Sequence, residues 1–181
     1  MGKLKKIKIP SLEKCEFLIK KYKMPENIKA HTKKVREIAN FIAKKISENN
    51  FNVDLILVDR SALMHDLMKM HCIANNCRHA KEAESVLSKE GFSEFGKILR
   101  LHGLDEVLEF DEKTPIEAKI VWYADKRVNH AEKVSLKERY EYLKETYGKR
   151  NEQKMKEIIS TEKPALKIEK ELLEKSGLDF I

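Results

Sequence analysis

Apolar side chains recur at helical spacing along most of this chain, and this periodicity constrains the fold more than any other feature. One segment places Ile28, Val35, Ile38, Ile42 and Ile46 on a single helical face. The chain has only 4 prolines and 6 glycines among 181 residues, too few for a β-rich or disordered protein of this length. The remaining composition is rich in Lys, Glu, Leu and Ile. We therefore predict an all-α fold.

Capping residues and glycines predict where the helices begin and end. Ser11 and Pro25 suit the starts of the first two helices, and Asn52 suits the cap of the third. Residues 70–78 are predicted to be a loop, and residues 104–113 an acidic connection. The predicted helices run over about 11–22, 25–49, 52–66, 79–90, 93–102, 114–128 and 135–147, followed by one or two charged helices broken near Pro164.

The charge balance suits an anionic substrate or partner. The formal net charge is +7, from 37 basic and 30 acidic residues, but the lysines are spread over nearly every helix, as on an ordinary solvated surface. The three cysteines, Cys15, Cys72 and Cys77, form no small-domain disulfide pattern, which favours a reducing cytoplasm. We find no segment of signal-peptide or membrane-spanning length and expect a cytoplasmic protein without a membrane partner.

Five ionisable residues interrupt the apolar faces of four helices: His31, the consecutive pair His65 and Asp66, His102 and Asp125. Taken singly, an inward histidine is more often a hydrogen-bonded core residue than a metal ligand. A buried carboxylate, however, is costly unless it is paired with a cation or bound to a metal. Together the five offer nitrogen and oxygen donors without a thiolate, which suits a divalent metal.

The segment between the third and fourth predicted helices leaves alternatives open. His79 begins a helix, so it is either a surface residue or an additional nitrogen ligand. Residues 71–79 contain two cysteines and two histidines, which makes a structural zinc site conceivable. The four-residue gap between Cys72 and Cys77 is a poor match to the usual zinc spacings, and the simpler interpretation is that the two thiols pack a loop.

The order His31, His65-Asp66 and Asp125 resembles the defining pattern of the HD superfamily of metal-dependent phosphohydrolases. Residues 65–69, His-Asp-Leu-Met-Lys, are similar to the His-Asp-Ile-Gly-Lys variant of its motif. The resemblance spans roughly residues 28–130, the extent of one compact domain. It implies a single HD-domain-like helical bundle over residues 1–181, with a core at about 25–132 and a C-terminal helical extension at about 135–178.

Two further similarities bear on the kind of HD protein. His79 and His102 are placed like the two extra histidines of members that bind two metals. Residues 123–126, Tyr-Ala-Asp-Lys, are similar to a segment of the subgroup that splits symmetrical dinucleoside tetraphosphates. Residues 127–130 then depart from that subgroup, which leaves the substrate open. Lys69 stands where the deoxynucleoside-monophosphatase branch has Glu, which argues against that branch.

The resemblance implies that His31, His65, Asp66 and Asp125 bind one divalent ion. A second ion would be bridged by Asp66 and completed by His79 and His102. Fe, Mn, Mg, Zn, Co and Ni are equally compatible with these donors.

The implied reaction is hydrolysis of a nucleotide or other small phosphate ester or anhydride by a metal-activated water. Asp66 and Lys69 are the expected catalytic residues. Arg78, Lys126 and Arg127 flank ligand positions and are the expected phosphate-binding residues, the arginines because their fork geometry matches phosphate.

Other functions and partners are weighed against this one. A non-catalytic, metal-containing sensor that binds a nucleotide is the alternative, although a complete ligand set favours catalysis. A nucleic-acid partner is disfavoured, because only the net charge supports it and no recognised motif is present. The C-terminal helices are expected either to pack on the domain or to form a homo-oligomer.

Overall fold

The computed structural model describes residues 7–180 and is almost entirely helical, as predicted. Short 3₁₀ turns occupy Leu104–Glu109 and Gly148–Arg150, and an antiparallel hairpin pairs β1 (Val128–Asn129) with β2 (Glu132–Lys133). The helices are α1 (Leu12–Lys21), α2 (Glu26–Glu48), α3 (Leu55–Met64), α4 (Lys69–Asn75), α5 (His79–Lys89), α6 (Ser93–Arg100), α7 (Ile116–Lys126), α8 (Leu136–Thr146) and α9 (Glu152–Ser176).

Local capping accounts for most of these boundaries. The Ser11 hydroxyl accepts a hydrogen bond from the Lys14 backbone N–H and begins α1. Ser135 and Glu138 form a reciprocal capping box that begins α8. Gly91, with φ +85°, follows the end of α5 in the left-handed conformation that favours glycine. The predicted start of the first helix at Ser11, the predicted end of a helix near residue 90 and the predicted start of another near residue 135 are confirmed.

Two predictions near the third helix are wrong. Asp54, not Asn52, caps α3, and its Oδ1 accepts hydrogen bonds from the N–H groups of Ile56 and Leu57, both at 3.0 Å. The predicted loop at 70–78 contains α4, which ends at Asn76 in the left-handed conformation. The sequence did not reveal α4 because a helix of two turns with one buried residue carries no apolar stripe.

The predicted break near Pro164 is also wrong, because α9 runs through this residue without interruption. Proline removes one N–H from the helical ladder and leaves the carbonyl of Ser160 without its usual donor. Ser160 is exposed, so water can hydrate that carbonyl. Ile158 and Ala165, on either side of Pro164, are both fully buried, and their packing stabilises the helix across the proline.

The buried apolar residues form two clusters. One is built from α2, α7, α8 and α9, and the other mainly from α1, α5 and α6; α3 contributes to both. Trp122 and Tyr123 are fully buried in the first cluster, which makes them core residues and excludes them as a stacking surface for a base. Their polar atoms are satisfied by the carbonyl of Gly103 and the carboxylate of Glu169, at 2.9 and 2.7 Å.

The C-terminal helices pack on the same core as the helices before them. α9 contacts α2, α7 and α8, and its residues Ile158, Ala165, Ile168 and Leu172 belong to the first cluster. In the described part of the chain, no helix combines the length and apolar character that a bilayer span requires.

Two adjacent isoleucines test this packing. Ile158 is fully buried, whereas Ile159 is 54% exposed. We expect Ile158→Ala to lower the free energy of unfolding by about 3 kcal/mol, because it leaves a cavity in the core. Ile159→Ala should lower it by less than about 0.5 kcal/mol, since it removes only surface contacts. Urea denaturation measures both, and equal losses would contradict the observed orientation of α9.

Candidate metal centre

Three buried histidines are held in one common arrangement. His31 on α2, His65 directly after α3 and His102 shortly after α6 each donate Nδ1–H to a backbone carbonyl, at 2.7 to 2.8 Å. The acceptors are the carbonyls of His130, Ala62 and Leu99. Because a carbonyl can only accept, these contacts place the proton on Nδ1 and leave Nε2 as the ligand atom.

The hairpin after α7 supplies one of these carbonyls. His130 lies in its turn with φ +53°, a left-handed conformation that is uncommon for a residue with a side chain. Its carbonyl oxygen lies 2.8 Å from the Nδ1 of His31. A residue 99 positions away in sequence therefore sets the orientation of the first histidine, a contact that helical periodicity could not predict.

The first cluster of candidate ligands is His31, His65 and Asp125, whose donor atoms all lie within 4.8 Å of one another. The Asp125 Oδ1 lies 3.0 Å from the Nε2 of His31 and 3.7 Å from the Nε2 of His65. All three residues are buried. The helices α2, α3 and α7 thus bring together residues separated by up to 94 positions.

The second cluster is Asp66, His79 and His102, which satisfies the same distance limit. The Nε2 atoms of His79 and His102 are 3.0 Å apart, and the Nε2 of His79 lies 3.3 Å from the Oδ1 of Asp66. The His79 side chain is 34% exposed, so this cluster opens to solvent.

Asp66 lies between the two clusters and directs a different oxygen to each. Its Oδ1 faces the Nε2 of His79. Its Oδ2 lies 3.5 Å from the Nε2 of His65 and 3.8 Å from the Nε2 of His31. This is the arrangement that a carboxylate bridging two ions would need.

The donor set fits a divalent cation. The Nε2 of His65 is buried without a hydrogen-bond partner, which costs about 1–3 kcal/mol in the absence of a ligand. The Nε2 of His31 lies against a carboxylate although its ring proton is used at Nδ1, so either a second proton or a cation must occupy the space between them. Nitrogen and carboxylate donors without thiolate suit borderline or hard metals.

Electrostatics hold two of these residues, His102 and Asp66, in states suited to metal binding. Burial, reinforced by the neighbouring His79 and His65, holds the pKa of His102 well below its ordinary value, which keeps the imidazole neutral. Burial alone would raise the pKa of Asp66, but the neighbouring His65 imidazole and Lys69 ammonium outweigh it and hold the pKa well below the usual range. Both residues are therefore in the protonation state of a metal ligand.

The second carboxylate follows the same pattern. Burial would raise the pKa of Asp125, but the Lys126 ammonium and the adjacent imidazoles of His31 and His65 hold it well below the usual range. Burial in turn lowers the pKa of Lys126 despite the opposing effect of Asp125. Asp125 therefore stays ionised beside His31 and His65.

Two predicted lysines adjoin the centre and are fixed by its carboxylates. The Lys69 Nζ lies 2.7 Å from the Oδ2 of Asp66. The Lys126 Nζ lies 2.5 Å from the Oδ2 of Asp125 and donates to the His102 carbonyl at 3.1 Å. Lys69 is partly exposed, whereas Lys126 is buried.

The structure does not bring Arg127 to the centre, which corrects its prediction as a phosphate-binding residue. Arg127 is buried, donates Nε–H to the Val134 carbonyl at 2.6 Å, and contacts the Tyr123 hydroxyl and the Glu169 carboxylate. It therefore joins α7 to α9. The sequence could not reveal this, because Arg127 and Lys126 are equally close to Asp125 along the chain.

Arg78 lies near the centre but is already paired. Its Nη2 lies 2.5 Å from both carboxylate oxygens of Asp105. Together with His79 it lines a recess of ≈ 380 Å³ at the edge of the second cluster. Arg78 is half-exposed there, and its pairing with Asp105 largely neutralises its charge before any ligand arrives.

Cys72 and Cys77 form a disulfide at the end of α4, just before Arg78. The interpretation that these two residues pack a loop as thiols is therefore corrected, because their sulfurs are bonded to each other. The zinc interpretation of residues 71–79 fails for the same reason, because neither sulfur remains as a thiolate. Cys15 is a free, buried thiol in the second core cluster.

A cleft of ≈ 180 Å³ opens over the second cluster and over Asp125 of the first, and the C-terminal helices supply part of its wall. Sequence reasoning missed Arg139, Leu143, Tyr147 and Lys154, because in the sequence the cations of α8 and α9 look like those of any solvated helix. The cleft is lined by Asp66, Lys69, His79, His102, Gly103, Leu104, Asp125, Lys126, Arg139, Leu143, Tyr147 and Lys154.

A model of the HD domain matches residues 28–129, from the first turn of α2 to the end of β1. The chain belongs to the HD-domain family. The match includes every residue of both clusters and ends before α8. HD domains bind divalent metals and are generally hydrolases, which agrees with the donor set described above.

Among curated proteins, the HD-domain chain is similar to a tRNA (cytidine(56)-2'-O)-methyltransferase of Thermoplasma volcanium. The two are 34% identical over 91 residues, which covers 50% of this chain and 25% of that relative. The similarity thus concerns about a quarter of the relative's length. No solved structure matched the chain.

Single substitutions in each cluster test the assignment of ligands. We expect His65→Ala to remove bound metal from the purified protein, because it deletes a donor from the fully buried cluster. His79→Ala should lower the metal content only partly, since the first cluster stays intact. Elemental analysis of the purified proteins measures both.

His71→Ala is the matched control, because His71 is exposed on α4 and lies outside both clusters. It should keep the full metal content. Full metal content in His65→Ala would show that these residues are not the ligands.

Proposed function

We propose that this HD-domain protein is a metal-dependent phosphohydrolase that acts on a nucleotide or another small phosphate ester or anhydride. The observation that carries the proposal is the position of Asp66, which directs one carboxylate oxygen to each of two histidine-containing clusters. A cationic cleft opens directly beside them and suits an anionic substrate.

In this proposal His31, His65, Asp66 and Asp125 hold one divalent ion, and Asp66, His79 and His102 hold a second. Bound divalent ions would supply a water of lowered pKa as the nucleophile and would neutralise phosphate oxygens. The backbone carbonyls behind three of the histidines keep their Nε2 atoms directed inward, so the ligand set is preorganised.

Lys69 has two roles in this proposal. Its ammonium group pairs with Asp66 at 2.7 Å and keeps that carboxylate ionised and oriented. Because its side chain is 32% exposed and lines the cleft, it can also donate to a phosphate oxygen. Lys126 is buried and bound on two sides, so it positions Asp125 and does not reach into solvent.

The resemblance to dinucleoside-tetraphosphate hydrolases enters only as a choice of substrate to test. Two of the four residues that carry it, Asp125 and Lys126, line the cleft, whereas Tyr123 is fully buried and bound to Glu169. Part of the similarity therefore reflects packing of α7 and not substrate recognition.

A second candidate is that the phosphate belongs to RNA. The relative from Thermoplasma volcanium is named as a tRNA methyltransferase, and the net charge of +7 would favour a polyanion. An RNA substrate should bind with a steep dependence on salt, whereas a mononucleotide should not.

A hydrolysis panel on the metal-supplemented protein tests the proposal. The panel contains mononucleotides, cyclic nucleotides, dinucleoside polyphosphates, alarmones and short RNAs with terminal phosphates. We expect release of phosphate or of a nucleotide from at least one class. Asp66→Asn should lower kcat/KM by at least about a hundredfold, because it removes the charge that faces both clusters. Lys69→Met should lower it by about tenfold.

The exposed His71→Ala variant again serves as the control and should keep the wild-type rate. An unchanged rate in Asp66→Asn would disprove the assignment of the catalytic centre. Stoichiometric nucleotide binding without turnover of any substrate would indicate the non-catalytic sensor instead.

A further inference from the structure

Arg139 differs from the other cations that line the cleft. Lys69 pairs with Asp66, Lys126 with Asp125, and Lys154 with Glu157, all at 2.5 to 2.7 Å. Within residues 7–180, Arg139 has no carboxylate at ion-pair distance, and the group that its Nη1 contacts is the neutral amide oxygen of Asn129, at 2.7 Å. Its charge is therefore the one least compensated by the protein.

The guanidinium of Arg139 is nevertheless held in place. Asn129 accepts from it on one side, and the ring of Tyr142 lies under it, with 5.7 Å between the guanidinium carbon and the ring centroid. Its Nε is buried without a hydrogen-bond partner among the described residues. A held, uncompensated guanidinium with an unsatisfied donor is typical of a site that binds an anion.

The position of Arg139 indicates that the anion it would bind is part of the substrate. Arg139 lines the same cavity as Asp66, Lys69 and His79, yet it comes from α8, beyond the matched HD region. Two divalent ions would already offset the charge of one phosphate group held at the centre. A further uncompensated cation in the same cleft calls for a second anionic group.

We propose that Arg139 is a substrate-binding residue that contacts a second phosphoryl group, adjacent to the one held at the metal centre. The inference rests on the proposed phosphohydrolase function and narrows its substrates to compounds with at least two linked phosphoryl groups. Arginine suits this task because its planar fork can donate two parallel hydrogen bonds to one phosphate.

The cleft has room for the rest of such a substrate. It shares His79, Gly103, Leu104 and Lys154 with the neighbouring recess of ≈ 380 Å³, so the two cavities meet along these residues. Lys154 is 41% exposed and sits at this junction. The group beyond the second phosphate would extend into the recess.

Binding of two non-hydrolysable probes tests this role without requiring turnover. The probes are methylphosphonate, with one phosphonate group, and methylenediphosphonate, with two. Isothermal titration calorimetry is performed on the full chain with free divalent metal in excess. The wild type should bind methylenediphosphonate at least about tenfold more tightly than methylphosphonate, and Arg139→Ala should remove this preference while leaving methylphosphonate affinity unchanged.

Two further variants make the result specific. Arg139→Lys keeps the charge but loses the fork and should retain only part of the preference. Lys137→Ala removes an exposed cation from the same helix, but Lys137 lines a cavity on another face, so it should retain the full preference. Circular dichroism verifies folding, and if Arg139→Ala does not fold, Arg139→Lys decides.

The proposal is overturned if the wild type binds both probes equally or if a folded Arg139 variant keeps the full preference. Its failure differs from failure of the phosphohydrolase function. Absence of bound metal or of turnover in the wild type would disprove that function, whereas the preference for two phosphonate groups is measured by binding alone.

Discussion

The burial of two carboxylates, Asp66 and Asp125, is the constraint on which the rest of this structure depends. They are 2% and 7% exposed, and an unpaired charge at such a position would cost several kcal/mol. Each is offset by a lysine from its own segment and by imidazoles from other helices. Stabilising these two charges therefore requires α2, α3, α5, α6 and α7 to meet at one point. The same requirement that organises the helices also assembles the candidate metal centre.

The C-terminal helices extend this centre beyond the region that matches the HD family. α9 packs on α2 and α7 through fully buried residues such as Ile158 and Leu172. This packing carries α8 and the start of α9 to the mouth of the cleft, where Arg139 and Lys154 face the ligands. The helices that were predicted from the sequence only as a C-terminal extension therefore form one wall of the candidate site. The matched HD region contains all the candidate ligands, whereas the extension supplies cleft residues that lie outside that region.

Much of the fold and of the site was predictable, because both depend on local patterns. Ser135 with Glu138 and Ser11 with Lys14 act over three residues, so their effects are visible in the sequence. The break expected at Pro164 did not occur, because tertiary packing on both sides of the proline outweighs the loss of one helical hydrogen bond. The Cys72–Cys77 disulfide was missed because the spacing of two thiols does not reveal their geometry.

The sequence alone determined most of the helices and five of the ionisable residues that face inward, because helical periodicity relates neighbours three and four positions apart. That was sufficient to identify His31, His65, Asp66, His102 and Asp125 as one group. Only the tertiary structure decided which cationic side chains line the cleft. Arg127, adjacent to Lys126, is turned away to Tyr123 and Glu169, whereas Arg139, in a segment without any motif, faces the centre. The two arginines cannot be distinguished locally, because their roles depend on contacts with distant elements.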